Sequence, residues 1–126
     1  MVKNSIWIVI LVCLLSMHAH AVKASSLENS FSFKCMVMVN GVEHEWEFSS
    51  PNEFEVESGR EVVKGEKAER EVIALFQHLQ VTELARAEDL VKSIKSYGFD
   101  DVERFELKWM DASGRLYTWV WDEVDE

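Results

Sequence analysis

The dipeptide Asn40-Gly41, which separates two runs of alternating residues, constrains the fold of this chain more than any other feature. A two-residue type I′ turn needs positive φ at both central residues, and Asn and Gly tolerate this best. The pattern therefore predicts a β-hairpin of residues 31–39 and 42–48. Because the turn fixes the register, Cys35 is expected opposite Trp46 on an apolar, buried face, where a thiol behaves as a small hydrophobe.

The other face of this hairpin is predicted to be acidic. Residues 54–57 alternate again and predict a third strand, which would place Glu47 opposite Glu55 and Glu45 opposite Glu57. Like charges directly opposite each other destabilise a sheet by roughly 0.2–1 kcal/mol per pair, and Lys34 is expected to neutralise only Glu47. One interpretation is a solvated face that prevents edge pairing. The other is a docking surface for a cationic partner, comprising Met36, Met38, Glu43, Glu45, Glu47, Glu55 and Glu57.

Two helices are predicted after this sheet. Apolar residues recur at 3.6-residue spacing from about Gly65 to Gln80, which indicates the first helix. Thr82 is the expected N-cap of the second helix. Gly98 lies just past its expected end, where a C′ glycine is common.

A second hairpin is predicted from residues 102–110 and 115–121, with Gly114 in the left-handed region of a bulged turn. Its register places Tyr117, Trp119 and Trp121 on the apolar face. The element order β-β-β-α-α-β-β predicts an α+β fold, a mostly antiparallel sheet with two helices covering one face. We expect the two hairpins to be neighbours, but the sequence leaves the full strand order open.

The N-terminus has the pattern of an export signal. Lys3 precedes ten uninterrupted apolar residues, 6–15, and Ala19-His20-Ala21 matches the site read by signal peptidase. The apolar run is half the ~20 residues that a membrane-spanning helix needs, although an uncleaved anchor is the alternative. We therefore expect a cleaved signal peptide over 1–21 and a periplasmic or secreted location.

The expected mature chain, 22–126, is one α+β domain with a loose N-terminal segment, 22–30, and an acidic tail, 122–126. The full chain has a formal net charge of −10. This balance argues against binding to nucleic acid or to an anionic membrane, since both favour Lys and Arg.

No catalytic motif, cofactor signature or metal-ligand spacing is found in the sequence. His44 and His78 are the histidines of the expected mature chain, and strand alternation separates His44 from the glutamates beside it. His44 is expected at the edge of the core with one nitrogen satisfied, and His78 at the surface. Catalysis is therefore the least favoured class, and we expect neither a cofactor nor a metal.

Two functions are consistent with these features. The first is a small exported, non-catalytic binding or accessory protein of the cell envelope that docks a basic protein partner, such as a cationic enzyme that it inhibits. The alternative is a small-ligand or divalent-cation binder that uses the strand glutamates, because hard cations prefer carboxylate oxygens.

Overall fold

The computed structural model describes residues 26–123, which form a six-stranded antiparallel sheet and two helices. The elements in chain order are β1 (Ser30–Val39), β2 (Val42–Ser49), β3 (Glu53–Ser58), β4 (Glu61–Lys64), α1 (Glu66–Leu79), α2 (Ala87–Tyr97), β5 (Val102–Asp111) and β6 (Leu116–Asp122). The sheet order is β4-β3-β2-β1-β5-β6. The predicted α+β fold is confirmed, with one strand more than expected. The predicted signal peptide 1–21, residues 22–25 and the tail residues 124–126 lie outside the described residues.

The N-terminal hairpin has the predicted turn and register. Asn40 and Gly41 adopt φ values of 51° and 74°, and Cys35 pairs with Trp46. β5 pairs with the other edge of β1, so the two hairpins are neighbours as expected. The pairing of β1 with β5 joins the two hairpins into one sheet.

The C-terminal hairpin also has its predicted register, with Trp109 opposite Tyr117 and Leu107 opposite Trp119. Gly114 has a φ of 84°. The Asp111 carboxylate accepts hydrogen bonds from the Ser113 hydroxyl at 2.7 Å and from the Arg115 backbone N–H at 3.0 Å. These bonds favour the charged carboxylate and lower the pKa of Asp111.

Strand β4 was not predicted. It is four residues long and pairs antiparallel with β3. In this strand only Val63, paired with Val56, packs against the core. A strand with a single core position gives no period-two signal to read.

The second helix begins at Ala87 rather than after Thr82, so the predicted N-cap was wrong. Tertiary contacts hold the intervening residues in turns. Val81 is fully buried, and the carbonyl of Ala85 accepts a hydrogen bond from the Trp119 indole at 2.8 Å. The end of the helix is as predicted, since Gly98 donates its N–H to the carbonyl of Lys95.

Both chain ends of the described region are more structured than expected. Leu27–Asn29 form one turn of 3-10 helix and Leu27 is buried. Ser30 already belongs to β1, and its hydroxyl accepts a buried hydrogen bond from the Trp109 indole at 2.8 Å. At the other end Asp122, expected in the tail, closes β6 opposite Arg104.

The core lies between one face of the sheet and the two helices. Phe33 of β1 and Phe76 of α1 meet edge to face, with ring centroids 5.1 Å apart. Cys35 is completely buried in this layer. The helices cover this face, so the opposite face is left uncovered by any element of residues 26–123; we call it the open face. No helix in the same range is long and apolar enough to cross a membrane.

Candidate functional site

Six glutamates of β2 and β3 lie on the open face. Side chains alternate between the two faces of a strand, and the core residues Trp46, Phe48 and Val56 fix which positions point inward. The outward positions of these two strands are therefore Glu43, Glu45, Glu47, Glu53, Glu55 and Glu57, which we call the acidic stripe.

The structure brings the glutamates together in the predicted register. Glu45 is opposite Glu57, and Glu47 is opposite Glu55. A hydrogen bond that Glu57 donates to Glu55 when it is protonated raises the pKa of Glu57, together with repulsion from the neighbouring carboxylates. The same hydrogen bond lowers the pKa of Glu55, with help from Lys64.

Two lysines neutralise part of the acidic stripe. Lys34 Nζ lies 3.0 Å from Glu45 Oε1 and 3.9 Å from Glu47 Oε2, so the expectation that it would serve only Glu47 was wrong. The hydrogen bond to Glu45 raises the pKa of Lys34. Lys64, on the unpredicted strand β4, lies 3.4 Å from Glu55. Six carboxylates against two ammonium groups leave this half of the open face with a net charge of −4.

The β5–β6 half of the open face is electrically balanced instead. Arg104 donates to both carboxylate oxygens of Asp122, at 3.0 and 3.1 Å. Lys108 lies 3.2 Å from Glu106. Two cations thus meet two anions, and the negative charge of the open face is concentrated on the β2–β3 side.

Met36 and Met38 lie at the boundary between the two halves. Met36 is flanked by Glu45 on β2 and Glu106 on β5, and Met38 by Glu43 and Arg104. Both methionines are half-buried. An unbranched thioether side chain adapts its shape readily to a contacting surface.

A cleft of about 550 Å³ opens where β4 ends and α1 begins, beside the acidic stripe. Its walls include Phe54, Lys64 and five glutamates: Glu47, Glu53, Glu55, Glu66 and Glu69. Sequence reasoning missed this cleft, because it depends on the position of β4. Among residues 26–123, no group of three or more His, Cys, Asp and Glu side chains is arranged to hold a metal ion.

The two histidines have structural partners. His44 Nδ1 lies 3.0 Å from the Ser58 hydroxyl, and its ring packs 5.2 Å from that of Phe99; this is the predicted core-edge position. His78 is exposed as expected, but Nε2 also donates to the carbonyl of Ser93 at 2.8 Å, which ties α1 to α2.

Comparisons with known proteins give no match: no family model, curated protein or solved structure is significantly similar to this chain. Any function must therefore be inferred from the residues themselves.

Proposed function

We propose that this chain is a small, exported, non-catalytic binding protein of the cell envelope, and that its acidic stripe docks a basic protein partner. The observation that carries the proposal is the uncompensated negative charge on an uncovered sheet face. Complementary charge steers association and selects partners. An inhibitor of a cationic enzyme and an accessory subunit of an envelope complex both fit this description.

The position of the acidic stripe on the sheet favours a protein partner over a small ligand. The glutamates lie on adjacent strands of one sheet face, so they present a broad surface rather than an enclosed cage. The neighbouring Met36 and Met38 add adaptable apolar contact area. A partner with lysines or arginines around an apolar centre would match both features.

Export belongs to the same proposal. Lys3, the apolar run 6–15 and Ala19-His20-Ala21 support cleavage after Ala21. Intact mass measurement of the protein isolated from its host should give a chain that begins at Val22. Recovery of the full-length chain from detergent-extracted membranes would contradict it.

The docking proposal is tested by comparing the parent with the double variant Glu47→Gln/Glu55→Gln. Each protein is immobilised and exposed to cell-envelope extract at about 50 mM and about 500 mM salt, and bound proteins are identified by mass. The matched control is Glu71→Gln/Glu88→Gln, which removes the same two charges from the helices. We expect a basic protein to be retained by the parent and the control at low salt. The double variant and high salt should both weaken its retention.

Two outcomes would refute the docking proposal. One is that parent and control retain no basic protein at low salt. The other is that Glu47→Gln/Glu55→Gln retains the same basic protein as strongly as the parent, which would make the acidic stripe a solvated face without a binding role.

A further inference from the structure

Strand β6 forms one edge of the sheet, and half of its backbone groups point away from β5. In the bulged turn, Asp111 N–H bonds to the carbonyl of Arg115. Hydrogen-bonded pairs recur every second residue in an antiparallel ladder, so Tyr117, Trp119 and Trp121 bond to β5. The N–H and C=O groups of residues 116, 118, 120 and 122 then point outward. No side chain or turn within residues 26–123 bonds to them.

The two edges of the sheet differ in protection. The opposite edge, β4, is only four residues long and has Glu61 and Lys64 at its ends. Short and charged edge strands resist pairing with another chain. β6 is seven residues long, and Asp122 at its end is its only charged residue. The edge at β6 therefore lacks the protection that β4 has.

Exposed apolar side chains surround this unprotected edge. Leu116 and Val120 are 54% and 48% exposed on the open face. On the helix side Leu84 is 79% exposed. Its two neighbours hold it near β6, because the Tyr117 hydroxyl donates to Glu83 at 3.1 Å and the Trp119 indole donates to the carbonyl of Ala85.

The geometry points to β6 as the pairing strand of a homodimer, in which β6 of two copies lie antiparallel and the two sheets continue into one. The sequence of β6 is self-complementary in the register that places Thr118 opposite Thr118 of the second copy. Leu116 then faces Val120 of the second copy, and this apolar pair occurs twice.

Charge also favours the antiparallel direction. Arg115 precedes β6, Asp122 ends it and Glu123 follows it. An antiparallel pair brings the arginine end of one copy to the acidic end of the other, whereas a parallel pair would bring like charges together. The two copies are related by a two-fold axis normal to the sheet, which keeps both open faces on the same side. The two acidic stripes then lie at the far ends of the joined sheet. The dimer therefore does not depend on the proposed function.

The contact is smaller than that of a permanent complex. One strand and its flanking side chains bury less than the ~1,200–2,000 Å² of typical stable interfaces. The dimer is therefore expected to form reversibly as concentration rises.

Sedimentation equilibrium of the purified protein from micromolar to millimolar concentration tests the proposal. The parent should show a monomer–dimer equilibrium. Val120→Lys should weaken it about tenfold or more, because each copy contributes the substitution to the interface. The matched control is Val62→Lys, since Val62 is 53% exposed on the same face of the opposite edge, and it should leave the equilibrium unchanged. Circular dichroism verifies that both variants are folded.

Amide hydrogen exchange supplies a second measurement that needs no variant. Protection of the amides of Leu116, Thr118 and Val120 should increase with protein concentration, while the amides of β4 should not respond. A chain that stays monomeric throughout overturns the proposal, and so does a dimer that Val120→Lys leaves intact or that Val62→Lys weakens equally. If these amides respond only to an added extended peptide, β6 accepts a foreign strand and the homodimer is refuted.

Discussion

At the scale of single residues, Glu57 is a carboxyl group placed among other carboxylates. It lies opposite Glu45 and two residues from Glu55 on the same face of β3. The hydrogen bond that protonated Glu57 donates to Glu55, together with the surrounding carboxylates, raises the pKa of Glu57. Because the pKa of Glu57 is higher in the folded state than in the unfolded state, Glu57 stabilises the fold at pH values below its unfolded-state pKa. That contribution is lost as pH rises through its folded-state pKa.

Glu57→Gln should therefore be more stable than the parent at neutral pH. The amide N–H group of glutamine can donate to Glu55, which the ionised carboxylate of Glu57 cannot do, and the substitution removes one negative charge. The advantage should shrink as pH falls below the ordinary glutamate pKa of about 4.3, because Glu57 then becomes protonated in both states of the parent. Denaturant unfolding at several pH values measures it. Glu43→Gln, on the same face without an ion pair among residues 26–123, is the control; a variant less stable than the parent at pH 7 would contradict this account.

Cys35 should react slowly with thiol reagents. Complete burial raises the pKa of the thiol, which disfavours the reactive thiolate. The reagent also reaches the thiol only when the core opens locally. We therefore expect native protein to be labelled at a rate about two orders of magnitude or more below that of the denatured chain. Rapid labelling of native protein, or a disulfide-linked dimer on a non-reducing gel, would show that the site is accessible.

Lys34 shows that the strand register does not predict which carboxylate a long side chain contacts. The register correctly places it opposite Glu47, but its ammonium group lies closer to the diagonal partner Glu45. Diagonal positions on neighbouring strands remain within reach of long side chains. Pairing of Cα positions follows from the turn, whereas the choice between two nearby carboxylates depends on side-chain packing.

At the scale of elements, sequence patterns succeeded where local chemistry and periodicity agree. The observed elements were correctly predicted by three local patterns: Asn40-Gly41, Gly114 and the 3.6-residue spacing of apolar residues in α1. The segment 81–86 is different, because β6 decides its conformation. Trp119 and Tyr117 bind this segment from a strand more than thirty residues away, and no local signal near Thr82 reports those contacts.

Trp119→Phe should release this segment from β6. It removes the donor to the carbonyl of Ala85, a hydrogen bond of 2.8 Å, and should lower the free energy of unfolding by about 1 kcal/mol. Hydrogen exchange of residues 82–86 should become faster. Trp121→Phe is the matched control, since the Trp121 indole N–H makes no hydrogen bond within residues 26–123; equal effects of the two variants would argue against a specific tether.

At the scale of the whole molecule, the open face has one acidic and one balanced half. The acidic half was predictable because the hairpin turn and the short β2–β3 loop fix its register. No local signal fixes the register of the balanced half beside it, since that requires β5 to pair with β1, although the two hairpins were expected to be neighbours. That pairing joins distant parts of the sequence, and no turn residue specifies it.

Glu47→Gln/Glu55→Gln should leave the stability of the fold unchanged or slightly higher. It relieves one cross-strand repulsion. It also weakens two exposed ion pairs, with Lys34 and Lys64, of the kind that contribute little. A denaturant titration beside that of the parent measures the midpoint. A large loss of stability would mean that these glutamates maintain the fold, and the double variant would then be unsuitable for testing partner binding.

The pairing of β1 with β5 also sets the order in which the chain can fold. Each hairpin closes locally. The backbone N–H of Gly41, however, donates to the carboxylate of Glu103, which lies 62 residues later in the sequence. Closing such a long loop is slow. During synthesis, one edge of β1 stays bare until residues 102–111 have been made. A chain that stops before Val102 would keep the apolar positions of β1 without their central neighbour, and we expect such a fragment to aggregate rather than form a smaller sheet.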